Sequence, residues 1–144
     1  MPMTKRDLTS TEIDTFIKDN RWGSLSFTGN DPYTIPIAYR YIKGDVLIGL
    51  TSTGRKMDYL NSSRSVCFMI CKPRWETPDD KESCTSVIIE GELEEVADRS
   101  YYDLGPLPEA FNGMFARIKQ KRVGTRKCTT IPCEILAAKE MESK

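Results

Sequence analysis

Histidine does not occur in this chain. Its absence excludes Ser-His-Asp and Cys-His catalysis and any metal site that needs imidazole. Long apolar runs are missing too, so no helix is expected to span a bilayer. The N-terminus "MPMTKRDLTS" shows no apolar signal region, from which a cytoplasmic location is expected. Neither sign of charge dominates: 21 basic residues balance 21 acidic ones, and nothing in that balance points to nucleic acid or a membrane surface. The five cysteines contain no CxxC pair. An odd count in a chain without a secretion signal reads as reduced thiols. Cys67 and Cys71, four apart on one strand, would lie roughly 13 Å apart. Cys84, Cys128 and Cys133 are scattered, and all five are read as small buried hydrophobes.

What is present suits one domain over residues 1–144, long enough to bury a core. "TSTEIDTFIKDN" reads as a helix, with capping-box spacing between Thr9 and Glu12 and an apolar stripe of Ile13, Phe16 and Ile17. "WGSLSFT" reads as a strand closed by the turn "GNDP". "YTIPIAYRYI" alternates, with Tyr33, Ile35, Ile37, Tyr39 and Tyr41 on one side, and Pro36 makes it an edge strand or opens it locally. A "KGD" turn joins it to "VLIGL". "SVCFMIC" and "CTSVIIEGELEEV" are further strands, the second with a bulge expected at Gly91. Between them, the polar stretch 72–83, which carries Trp75, reads as a loop. "DRSYYDL" and "PEAFNGMFARIKQKR" read as helices, the latter on the spacing of Phe111, Met114, Phe115 and Ile118. "TTIPCEILAA" reads as a last strand. Six strands with short connections predict a mainly β fold, an antiparallel barrel decorated by helices.

The stretch "TSTGRKMDYL", residues 51–60, carries the most chemistry. Thr51, Ser52 and Thr53 resemble a helix start, which places Arg55 and Lys56 in a first turn that backbone N–H groups already make positive. One reading is two solvated cations partly offset by Asp58. The other is an anion, because hydroxyls, exposed N–H groups, a permissive glycine and two cations suit a phosphate. The strand that leads here is expected to pair with "YTIPIAYRYI" through a tight turn, so the irregularity expected at Pro36 lies near in space, and a flat heteroaromatic ring with polar edges would suit that backbone. The basic run 117–127 reads as a solvated helix end.

Taken in order, "RWGSLSF", "DPYTIPIAYRYIKGDVLIGL", "TSTGRKMDYLNSSRSVCFMI" and "TSVIIEGELEEV" resemble the FMN-binding split-barrel superfamily, in its pyridoxamine 5'-phosphate oxidase-like, Nim-like (nitroimidazole resistance) branch. The resemblance covers roughly residues 10–97. It implies a six-stranded split β-barrel and a homodimer with FMN sites at the interface. By position, Thr51, Ser52, Thr53, Arg55 and Lys56 would hold the phosphate and ribityl chain. Thr34, Ile35, Pro36 and Ile37 would line the ring, and Thr85 and Ser86 would approach it from a neighbouring strand. It further implies a flavin-dependent oxidoreductase of unidentified substrate, or else a non-catalytic flavin- or haem-binding module of the same fold. Nim-like proteins commonly carry a histidine near where Gly49 and Leu50 stand here. Its absence removes any histidine-dependent proton transfer.

Overall fold

The computed structural model describes residues 4–73, 84–106 and 108–129. The elements run β1 (Thr4–Arg6), α1 (Ser10–Asp19), β2 (Trp22–Phe27), β3 (Tyr33–Ala38), β4 (Arg40–Ile42), β5 (Asp45–Thr51), α2 (Arg55–Ser62), β6 (Ser65–Lys72), β7 (Cys84–Glu95), a 3-10 turn (Arg99–Tyr102) and β8 (Gly113–Thr129). α1 begins with the expected capping box: the Thr9 hydroxyl accepts from Glu12 N–H and the Glu12 carboxylate accepts from Thr9 N–H.

All the strands join one antiparallel sheet in the order β3-β2-β6-β7-β8-β5-β4, with β1 added to β8. β3 and β4 therefore lie at opposite ends of the sheet, yet only Tyr39 separates them in the chain. One residue spans under 4 Å, so the sheet has to curl until its two ends meet. This gives a barrel with a seam, a split barrel. Tyr39 pins the seam. Its N–H donates to Arg21 O at 2.9 Å, its hydroxyl donates to Ile17 O at 2.7 Å, and its ring meets Phe68 edge-on at 5.4 Å. Burial pushes its phenol far above the ordinary tyrosine range.

Alternation fills the interior. Leu25 and Phe27 of β2, Val66, Phe68 and Ile70 of β6, Val87, Ile89 and Leu93 of β7, and Ala116 and Ile118 of β8 are buried, and Ile17 of α1 closes one end. The β7–β8 register shifts at Glu90/Gly91, as expected of a bulge. A Cβ on Gly91 would stand 2.1 Å from Lys119 O, so only glycine fits there.

Several expectations change. "YTIPIAYRYI" is not one strand: Tyr33–Ala38 pairs with β2, and only Arg40–Ile42 pairs with β5. Residues 113–122, the greater part of the helix expected over 108–122, belong to the 17-residue strand β8, which β7 flanks on one side and β5 and β1 on the other. The i, i+3, i+4 spacing of its apolar residues was a local coincidence that strand partners on both sides override. Its basic residues are cross-strand partners rather than a helix end: Arg117 pairs with Glu94 at 3.0 Å, Lys121 with Glu92 at 3.1 Å, and Arg122 with Glu90. The segment 98–104, expected as a helix, forms only the short 3-10 turn, capped by the Asp98 carboxylate. Among the described residues there are eight strands rather than the six expected. The loop carrying Trp75, and the last expected strand beyond Thr129, lie outside the described residues.

Candidate functional site

β5 ends at Thr51, which is still paired with Gly113, and Ser52 N–H donates to Asn112 O at 2.8 Å. The chain then turns at Gly54, with φ 96° and ψ 179°, a region that only glycine enters without strain. Gly54 is the N-cap of α2, and no side chain caps the helix. The expected start at Thr51–Thr53 is therefore displaced. Thr51 is held in the strand, and the Gly54 turn leaves the Thr51, Ser52 and Thr53 side chains exposed instead of capping. The first bond back into the helix comes from Met57 N–H to Gly54 O, at 3.1 Å. Among the described residues, the N–H groups of Arg55 and Lys56 meet no acceptor.

Arg55 and Lys56 do occupy the first turn, and they diverge. Lys56 Nζ reaches back to Thr53 O at 2.6 Å. The Arg55 guanidinium lies over the Tyr33 ring at 4.7 Å and donates to the Tyr59 hydroxyl at 3.2 Å. That hydroxyl bond, with the charge of nearby Asp31 as a smaller effect, raises Arg55 above the ordinary arginine range. Among the described residues neither cation forms an ion pair with a carboxylate.

Sequence reasoning missed Tyr33 and Tyr59 as site residues. Their rings stack at 5.1 Å, and the Tyr59 hydroxyl donates to Asp31 O at 3.1 Å. Tyr59 also packs on the loop before β3, where a Cβ on Gly29 would stand 2.4 Å from its ring. Together with Gly29, Asp31, Arg55 and Asp58, Tyr59 borders an open cleft of about 320 Å³. The signal was present: Tyr59 follows Arg55 by four residues, one helical turn on the same face.

Thr34, Ile35, Pro36 and Ile37 lie on β3, the sheet edge. Thr34 and Pro36 are exposed, while Ile35 and Ile37 are half-buried against the core. The Thr34 hydroxyl is 2.9 Å from Ser26 Oγ. β3 and β5 come together across the seam, so the β3 edge and the loop after β5 share one region. Thr85 and Ser86 do not join them. β7 is a neighbour of neither β3 nor β5, and Thr85 pairs with Lys127 while Thr51 pairs with Gly113 of the same β8. The intervening strand has a contour of about 46 Å at some 3.3 Å per residue. At Gly49, near the expected histidine position, a Cβ would meet Phe115 at 3.2 Å, in front of the stacked Phe111–Phe115 pair.

Comparison with known proteins agrees with this architecture. The fold is similar to that of an FAD-binding protein from Mycobacterium smegmatis, at 19% identity and a TM-score of 0.65 over 88% of this chain and 100% of that one. A second FAD-binding protein, from Mesorhizobium loti, matches at 20% identity and a TM-score of 0.64 over 85% and 97%. A candidate 5-nitroimidazole antibiotic resistance protein from Bacteroides thetaiotaomicron matches at 14% identity and a TM-score of 0.68 over 89% of each chain. No curated protein matches by sequence. The profile of the pyridoxamine 5'-phosphate oxidase family matches residues 9–125, most of the chain, and the protein therefore belongs to that family.

Proposed function

We propose that the protein binds FMN and acts as a flavin-dependent oxidoreductase, as a cytoplasmic homodimer with its flavins between the subunits. One observation carries the reading: α2 opens on a glycine turn with no capping side chain, uncommitted N–H groups, and two cations without a carboxylate partner among the described residues. A helix start of that kind attracts a phosphate, because N–H groups, dipole and cations all favour negative charge. Arg55, Lys56 and the helix N–H groups hold the phosphate in this reading. The exposed hydroxyls of Thr51, Ser52 and Thr53 serve the phosphate and ribityl chain. The β3 edge at Thr34 to Ile37 lines the ring, where Pro36 offers no backbone N–H.

Thr85 and Ser86 lie on β7, a neighbour of neither β3 nor β5. In this reading the partner subunit supplies them. When bound, the flavin supplies the redox chemistry, and the protein supplies position and electrostatics. Without histidine, protons come from water, Tyr, Lys or Cys. The same lack favours, as a second reading, a module that holds flavin without turnover. Haem fits less well, because it has no phosphate for the α2 start. Titrating the protein with FMN and following flavin fluorescence tests the reading. Saturable binding at one flavin per chain is expected, and a protein that takes up no FMN refutes it. Adding a nicotinamide donor to the loaded protein then separates enzyme from carrier: bleaching of the flavin band marks the enzyme.

A further inference from the structure

The sheet register brings together two thiols that are far apart in the sequence. Cys84, the first residue of β7, stands directly opposite Cys128 near the end of β8. Directly opposed residues of an antiparallel pair have Cα atoms about 4.5 or 5.5 Å apart and project from the same face. Both separations fall inside the window of about 4.4–6.8 Å that a disulfide needs. In the structure both residues are thiols. Among the described residues Cys71 is the nearest competitor on that face. It stands opposite Ser86, one diagonal step from Cys84, where Cβ atoms are further apart than a relaxed disulfide allows. Cys67 is four residues further along β6. Among the described residues no three metal-ligating side chains converge.

We propose that Cys84 and Cys128 form a reversible cross-strand disulfide when the protein meets a hydroperoxide. The two thiols differ in access: Cys84 is half-buried and Cys128 is 2% exposed. Cys84 is therefore the residue the oxidant reaches. Its thiolate attacks a peroxide oxygen, the O–O bond breaks, and a sulfenic acid forms, while the departing oxyanion takes up the proton lost by the Cys84 thiol and leaves as water, or as an alcohol from an organic hydroperoxide. The Cys128 thiolate then attacks the Cys84 sulfur. The S–S bond forms, the S–O bond breaks, and the departing hydroxide takes up the thiol proton to give water. The two sulfurs together lose two electrons, and the peroxide gains them. A small thiol reverses the reaction by exchange.

The bond staples the start of β7, which carries Thr85 and Ser86, to β8. It closes a large loop of chain in the unfolded state, which is where a disulfide acts most strongly. The inference is independent of flavin binding.

The test is peptide mapping of the full chain after treatment with hydrogen peroxide. Trypsin releases Cys84 within residues 82–99, and Cys128 within residues 128–139 together with Cys133. The expected result is a cross-link between these two peptides that survives Cys133→Ser, disappears in Cys128→Ala and Cys84→Ser, and is released by dithiothreitol. The oxidised wild type should melt higher than the reduced protein by on the order of 10 °C. Cys84→Ser replaces a half-buried side chain and should fold, so its loss of that rise is interpretable. A link that persists in Cys128→Ala, a Cys71–Cys84 link, or oxidation of the thiols without any link would each overturn the proposal.

Discussion

Replacing Lys56 with alanine tests the anion site most directly. Lys56 occupies the second position of α2, and its ammonium now donates to Thr53 O. If a phosphate binds there, the ammonium makes a charge-assisted hydrogen bond to it, worth about 1.5–3 kcal/mol. Lys56→Ala should then weaken FMN roughly 10- to 150-fold, at 1.36 kcal/mol for each factor of ten. Riboflavin has the same ring and ribityl chain without the phosphate, and its affinity should stay within about twofold. The flavin-free protein should barely change in stability. Removing a cation from a helix N-terminus gains about 0.3–1 kcal/mol, and losing the exposed bond to Thr53 O costs a similar amount. Wild type and Lys56→Ala are titrated with both flavins by fluorescence at one salt concentration, since screening weakens such contacts. Equal losses for FMN and riboflavin, or no loss for either, would refute the role given to Lys56.

Three other outcomes are expected. Gly54→Ala forces a Cβ into a backbone region reserved for glycine, although its nearest neighbour, Lys56 Nζ at 3.5 Å, leaves room. The cost is therefore strain, about 1–3 kcal/mol in a denaturant titration, and FMN affinity falls with it. Bonds from the Arg6 guanidinium and from Thr9 N–H hold the Glu12 carboxyl near pKa 2, below its ordinary 4.5. The folded state thus prefers the carboxylate: the contribution is complete above about pH 4.5 and is lost as pH falls towards 2. Glu12→Gln should flatten the melting temperature against pH in that window, and an unchanged profile would count against the assignment. Finally, light scattering of the flavin-loaded protein should give a dimer, and a monomer with flavin bound would contradict the shared site.

Much of the fold was legible because its signals are local. The Thr9–Glu12 box, the alternation of β2, β6 and β7, the Gly91 bulge and the Lys43–Gly44 turn each depend on residues a few positions apart. The turn has positive φ at both residues, the geometry that suits a tight hairpin. "PEAFNGMFARIKQKR" misled because short-range spacing cannot reveal that β7 and β5 stand ready on either side. The site was half legible. Arg55 and Lys56 could be placed from helix-start chemistry, whereas Tyr33 joins Arg55 only through a contact across the fold.

By itself, then, the sequence determined which residues are polar or apolar at which period, where the chain turns, that histidine chemistry is excluded, and that two cations fall in the first turn of a helix. Those properties follow from backbone sterics and hydrogen bonding over a few residues. Only the tertiary structure decided that Tyr39 bridges the two ends of a curled sheet, that Thr85 and Ser86 lie on a strand adjacent to neither β3 nor β5, and that Cys84 faces Cys128. These are matters of register between distant segments. The register is chosen when the whole set of apolar faces is buried at once, because a slip of one residue would turn every one of them to solvent.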